Sequence, residues 1–243
     1  IAYNLKNTGN GSGDPKDIIR LGVEEWNIWR AKQTNIGTSL KDIDLRGINL
    51  KGANLSGINL SRAKLGGSDL SGANLSISDL TNADLSDAQL IGAQLKEANL
   101  ESAILDRARL NNANLRGAKL NRASLIRTEL ENADLNGADL SEANLNGADL
   151  ISANLDKTSF TRAFLIGANL SRAYLNKTNF STTNWRDTNF GFTDLRNALD
   201  IETIIHLGTS SIGIETIFNA KGQLPETFLR GCGLNDYEIE FAK

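Results

Sequence analysis

ADLNG ADLSE ANLNG ADLIS ANL, the run from Ala133 to Leu155, decides how this chain folds. Every fifth residue is leucine, and two residues before each leucine stands alanine. The pattern reaches far beyond the quoted stretch. From Leu40 to Leu195 the 32 positions in this register carry 28 Leu, plus Phe160, Phe180, Trp185 and Phe190. The residues two before them are Ala at 20 positions and otherwise Thr, Ile or Ser. No insertion breaks the register.

Neither standard element can bury that pattern. An α-helix turns about 100° per residue, so a period of five scatters the leucines around its axis. A flat strand alternates faces with period two, so an odd period sends successive leucines to opposite sides. The chain must instead turn once per pentad, so that each leucine points back to one axis. Residues two apart in a short extended segment share a side. Leucine and the small residue before it therefore face inward together, and the other three positions face out or form the corner. Asn or Asp often precedes the leucine and tolerates turn conformations. Gly takes the second position after it ten times, from Gly47 to Gly167, where a corner would use its freedom at positive φ.

The A-[DN]-L-x-x motif resembles that of the pentapeptide-repeat family, and the likeness covers about two thirds of the chain. The resemblance implies an all-β fold: a right-handed quadrilateral β-helix with four pentads per coil, hence about eight coils. At a strand spacing of about 4.8 Å the solenoid is expected to be roughly 38 Å long. Its structural core is represented by Leu100, Leu120, Leu140, Phe160, Phe180, Trp185 and Phe190. Phe160 and Phe180 lie four pentads apart and would stack on one face. Phe180, Trp185 and Phe190 fall in one coil whose inward partners are all Thr, which reads as a widened terminal coil rather than an aromatic ligand pocket.

Solenoid ends need covering. Residues 1–14 read as a flexible linker; its glycines lack the Lys-Ser or Lys-Thr of a phosphate loop. Asp14-Pro15 starts a helix over 15–32 that caps the first coil with Ile19, Val23, Trp26 and Trp29, in a capping segment spanning 15–33. The repeat occupies 38–197. Residues 198–243 lose the period and form a mostly helical segment. There the sequence predicts an extended piece over Ile201–Leu207, a helix over Ile212–Ala220, and one or two short helices beyond Pro225. GVEEWNIWR (Gly22–Arg30) resembles a leader of cyanobacterial pentapeptide-repeat proteins. Ser210–Phe241 is similar to the junction that in some of them precedes a C-terminal TIR domain. No TIR domain lies within these residues, so no TIR active-site residue carries over. The resemblance implies the repeat arm of a larger TIR-type effector.

The composition points away from catalysis. The 243 residues include one histidine, His206, and one cysteine, Cys232, and no internal disulfide is available. Neither residue sits in a motif with a base, nucleophile or metal-ligand set. No catalytic residue, cofactor or metal is expected. The formal net charge is −3, which advertises neither a nucleic-acid nor a membrane partner. No apolar run spans a bilayer. A cytoplasmic location is the reading adopted, although Ile1 is not a natural initiator and a removed targeting segment stays open.

The expected role is a non-catalytic scaffold or protein-interaction module. The alternative implied by the family is DNA mimicry against DNA gyrase, which needs an acidic rod. Residues 40–197 hold 18 acidic and 18 basic residues, which speaks against it. The candidate docking patch is Arg107, Arg109, Arg116, Lys119, Arg122 and Arg127, a run with no acid inside it, in which Arg107 and Arg127 stack on one edge. Outward Ile91 and Ile151, and Ile126 and Ile166, are scattered along their columns. The expected partners are an unidentified protein and a second copy of the chain meeting through a terminal cap.

Overall fold

A computed structural model describes residues 13–33 and 37–242. The linker reading of the N-terminus falls almost wholly outside these residues. The pentads wind into a solenoid by single parallel bridges between positions four pentads apart, from Ser39 with Asn59 to Asn179 with Leu199. Four pentads therefore make one turn. The four faces are named here by their first central residues: face one from Leu40, face two from Leu45, face three from Leu50 and face four from Leu55.

Each pentad repeats one hydrogen-bond scheme. The central N–H donates to the next coil, as Leu120 N–H does to Asp139 O (2.7 Å). The residue three beyond closes a tight turn, as Ala123 N–H donates to Leu120 O (3.0 Å). The third residue of that turn has positive φ at every corner from Asp42 to Phe192. Glycine fills ten of these corners, and residues as ill-suited as Ile77 (φ 53°) and Thr182 (φ 53°) fill others. Winding is thus dictated by the inward rungs, not by corner propensity. All 32 central side chains are buried, and each contributes about 1.5–3 kcal/mol of transfer free energy. Inward threonines satisfy their hydroxyls on the coil before: Thr158 Oγ1 donates to Leu135 O (2.8 Å) and Thr178 Oγ1 to Leu155 O (2.7 Å).

The expected helix over 15–32 is in fact two, α1 (Pro15–Ile18) and α2 (Val23–Ala31), with a 3₁₀ turn at Ile19–Leu21 between them. Gly22 breaks the helix, at φ 129° and ψ 172°. The break lets α2 lie on the first coil at face four. There Trp26 Nε1–H donates to Asn54 O (2.8 Å), Arg30 Nη2–H donates to Ser56 O (2.9 Å) and Asn54 N–H donates to Asn27 Oδ1 (2.8 Å). One coil higher, the equivalent bonds are Leu55 N–H to Asn74 O, Gly57 N–H to Ser76 O and Asn74 N–H to Ala53 O. Three side chains of α2 reproduce the contacts of a missing backbone strand.

At the other end the pentads stop, but the winding does not. β1 (Asn184–Trp185) pairs in parallel with β2 (Ile205–His206), and Asn189 bridges Ser211. The offset between partners is still four pentads where Asn179 meets Leu199 on face one. It lengthens by one residue on face two and by one more on face three. Part of the stretch expected to be extended, Ile201–Thr203, is a 3₁₀ turn that absorbs the first extra residue. Backbone pairing needs no pentad, so the solenoid outlives its sequence signature. Three short helices follow: α3 (Ile214–Ala220), α4 (Glu226–Gly231) and α5 (Asp236–Ala242). Phe228 of α4 is fully buried against Trp185, ring centroids 5.8 Å apart. Phe160 and Phe180 stack at 5.6 Å; Trp185 and Phe190 stack at 4.2 Å. Among the described residues no helix is long and apolar enough to cross a membrane.

Candidate interaction surface

Rungs fill the lumen, so any chemistry must lie on the outer wall or at the ends. At the C-terminal end, His206 lies edge-on to Trp185 (6.1 Å) and near Phe228 (6.0 Å). Its Nδ1 is buried without a hydrogen-bond partner, and burial lowers its pKa below the ordinary histidine value. Cys232 is buried, which pushes its thiol up to about 12, so no thiolate forms near neutrality. Among the described residues no cluster of three or more His, Cys, Asp or Glu has the placement to hold a metal ion.

On the wall, side chains four pentads apart meet one above another. The six residues Arg107, Arg109, Arg116, Lys119, Arg122 and Arg127 are spread around all four faces rather than gathered on one. Arg107 and Arg127 do occupy successive corners of one column, with Arg107 N–H donating to Ile126 O (2.9 Å). Four of the six are matched by acids from adjoining coils. Arg107 grips both oxygens of Asp87 (2.8 Å each), and Arg109 Nε reaches Glu129 (3.0 Å). Arg116 meets Asp134 (3.2 Å), and Arg122 Nε reaches Glu142 (3.0 Å). Hydrogen bonds from Arg107, Arg109 and Arg122 hold the carboxyls of Asp87, Glu129 and Glu142 below their usual range. These pairs are exposed and contribute little stability, but they cancel the field of the basic run. A run without acids in one dimension is neutralised by its neighbours in two.

Two cations of a different stretch remain unpaired: Lys157, Arg162 and Arg186 lie near Asp156 (3.7 Å), Glu142 (3.7 Å) and Asp187 (3.6 Å), but Arg172 and Lys177 have no ion-pair partner among the described residues. The run from Lys157 to Arg186, which includes Arg162, Arg172 and Lys177, contains no acid. The positions one coil away in the columns of Arg172 and Lys177 offer none either: Ser152 and Phe192 flank Arg172, and Lys157 and Asn197 flank Lys177; the nearest acid in either column is Glu97, four coils from Lys177. The length of this acid-free run was the available sequence signal. The arrangement also includes exposed aromatics. Tyr174, 68% exposed, stands on face four between the two cationic corners. Phe192, 54% exposed, lies beneath the Arg172 guanidinium, 5.4 Å from carbon to ring centre. The bridge ladder is interrupted here, with no pairing of Tyr174 and Asp194. Thr216 of α3 causes this by entering the last turn: Thr193 N–H donates to Thr216 Oγ1 (3.1 Å), which donates to Phe190 O (2.7 Å). Outward Ile91, Ile126, Ile151 and Ile166 are half-buried between their neighbours and form no continuous stripe.

A family model described as pentapeptide repeats matches the chain in overlapping segments from residue 38 to residue 199. Among solved structures, HetL from the cyanobacterium Nostoc sp. strain PCC 7120 is a pentapeptide repeat protein involved in heterocyst differentiation regulation. It is 32% identical over 76% of this chain and 94% of its own, with a TM-score of 0.31. A trypsin-treated form of QnrB1, a plasmid-mediated fluoroquinolone resistance protein, is 18% identical over 75% of this chain and 91% of its own, with a TM-score of 0.54. Rfr23 from the cyanobacterium Cyanothece 51142 is 25% identical over 63% of this chain and 91% of its own, with a TM-score of 0.21. No curated protein matches the sequence.

Proposed function

The chain belongs to the pentapeptide-repeat family, whose members fold as right-handed β-helices, and from that premise we propose that it is a non-catalytic scaffold and protein-interaction module. The observation that carries this reading is the division of labour between inside and outside. Inward positions are consumed by rungs, with the central side chains buried throughout. Outward polar groups are tied down within their own turn, as Ser141 N–H is to Asp139 Oδ1 (3.0 Å), or to the coil above or below, as in the Asn136–Asp156–Asn176 ladder (2.8 and 2.7 Å). Such a wall is stiff and regular, which suits it to presenting a surface rather than closing around a substrate. DNA mimicry against gyrase is the weaker reading, because the repeat carries as many bases as acids. The likeness of the flanking segments supports a finer version, in which this chain is the repeat arm of a TIR-type effector; a TIR-coding sequence downstream of Lys243 is the expectation to check.

The test is affinity capture with the purified chain from extracts of its source organism, followed by reconstitution with the purified partner. A stoichiometric complex is expected. A parallel supercoiling assay is expected to show gyrase unaffected; inhibition at stoichiometric dose would reverse the ranking.

A further inference from the structure

The geometry points to a docking site for an acidic polypeptide segment on face four of the seventh coil, built from Arg172, Tyr174, Lys177 and Phe192. This inference rests on the interaction-module reading and names the partner's chemistry. Charge decides it first. Two acids near this face are already engaged, and a third, Glu215 of α3, stands by Gly213 at the edge of the notch without an ion pair to either cation among the described residues. Asp194 is held by Arg196, whose Nε donates at 2.9 Å. Asp156 accepts the side-chain amides of Asn136 and Asn176 and lies 3.7 Å from Lys157 Nζ. Arg172 and Lys177 have no ion-pair partner among the described residues, in contrast to Arg62, Arg107, Arg109, Arg116 and Arg122. Two uncompensated cations therefore bound one pentad face.

Composition and order decide it next. Tyr and Arg are, with Trp, the side chains enriched where binding energy concentrates at protein interfaces, Tyr because it adds large area at low entropic cost and Arg because its planar fork bonds carboxylates in pairs. Stacking on Phe192 fixes the Arg172 guanidinium before any partner arrives. A shallow notch of about 300 Å³ adjoins it, lined by Ile151, Ser171, Arg172, Asn189, Gly191 and Phe192. Its floor is open because the column shrinks from Ile151 to Ser171 to Gly191, and Gly213 above sits so close that its own Cβ would lie 3.3 Å from Gly191 Cα. An apolar side chain from the partner fits the notch while neighbouring carboxylates meet Arg172 and Lys177. A nucleic-acid strand fits less well. It needs a basic track over many coils, and face four carries Asp134, Asp156 and Asp194 along its length.

The experiment is fluorescence anisotropy with the full chain and three labelled probes: a peptide of alternating Glu and Phe, its Gln and Phe counterpart, and a thymidine oligonucleotide of equal length. The Glu peptide is expected to bind at least about tenfold more tightly than the Gln peptide at low ionic strength, with the difference shrinking in salt. The doubly reversed Arg172→Glu, Lys177→Glu protein is expected to lose that discrimination. Tyr174→Ala is expected to weaken binding severalfold, and Arg107→Gln, whose guanidinium is spent on Asp87, to leave it unchanged. Equal binding of the two peptides, tighter binding of the oligonucleotide, or indifference to the double reversal overturns the assignment. Circular dichroism of each variant confirms that the solenoid persists. The two readings fail separately: a natural partner still captured by the doubly reversed protein sinks the site but not the module, whereas no partner captured by the wild type sinks the module.

Discussion

The body of the rod and its two ends solve one problem by different means. In the body, each backbone edge is satisfied by the backbone of the next coil, and the side chains only have to fill the lumen. At the ends there is no next coil, and individual side chains take over. Trp26, Asn27 and Arg30 copy three backbone contacts at one end. At the other, Thr216 is spliced into the last turn and Phe228 is pressed onto Trp185. Body stability is therefore repetitive and governed by packing, whereas end stability hangs on single residues. Unpaired strand edges invite aggregation, so failure at an end should expose more than its own few contacts.

A graded set of experiments breaks or sharpens that contrast. The largest effect is expected in the body. Leu120→Ala removes a rung buried on all sides and should cost about 2–5 kcal/mol in denaturant unfolding. A smaller value would mean that the lumen collapses around the gap. Next comes a glycine under the C-terminal cap. A Cβ at Gly231 would lie 2.2 Å from His206 Cδ2, so Gly231→Ala forces the His206 ring or α4 itself to move and disturbs their packing on the last coil. It should cost about 1–3 kcal/mol and strip hydrogen-exchange protection from α4 and α5 while coils in the middle stay protected. Trp26→Phe keeps an aromatic ring and deletes one donor, leaving Asn54 O unpaired. A loss of about 1–2 kcal/mol, confined to the first coil by the same exchange measurement, is expected.

The corners should respond with opposite signs. Gly137 has φ 70° and open space where a Cβ would stand, so Gly137→Ala should cost about 1 kcal/mol from conformation alone. Ile77→Gly relieves a β-branched residue at φ 53° and should gain roughly 0.5–1 kcal/mol, measured as a higher denaturation midpoint. The smallest effect concerns pH. Burial lowers the His206 pKa, so the unfolded cap binds the proton more readily than the folded one. Cap stability should be complete above the unfolded value near 6.5 and decline as pH falls from there toward the folded value. Exchange protection of α4 is expected to drop between neutral and mildly acidic pH, and His206→Gln should flatten that response.

How much of this was legible in the sequence follows from the same contrast. The solenoid could be read because one requirement, an inward rung every fifth residue, is imposed 32 times from Leu40 to Leu195. The corner rule could be read from glycine positions, although Arg, Lys, Glu and even Ile adopt the same positive φ once the rungs force the bend. The ends were harder. Gly22 splits a helix that its flanking residues favour. The winding past Leu195 is held by backbone pairing to Leu199, Ile205 and Ser211, which leaves no periodic trace. The surface was hardest of all. Arg107, Arg109, Arg116 and Arg122 look unopposed along the chain, yet acids on adjoining coils stand beside them in space. The acid-free run from Lys157 to Arg186 is visible in a linear count, but only folding the sequence into rows of four pentads separates Arg172 and Lys177, whose neighbours one coil away are not acids, from Arg162, which lies over Glu142.

The central claim is that four pentads make one coil and that each coil advances the rod by one strand spacing. Pairs of spin labels down a single corner column test it most directly, in a background where Cys232 is replaced by Ala. Asp42 would be paired in turn with Asn82, Ser102, Glu142 and Thr182, whose shared left-handed corner conformation keeps the labels in one line. The backbone separations should rise linearly, at about 4.8 Å per coil, to roughly 34 Å for Asp42 with Thr182. Separations that plateau, alternate or fail to scale with the number of four-pentad steps would contradict the account.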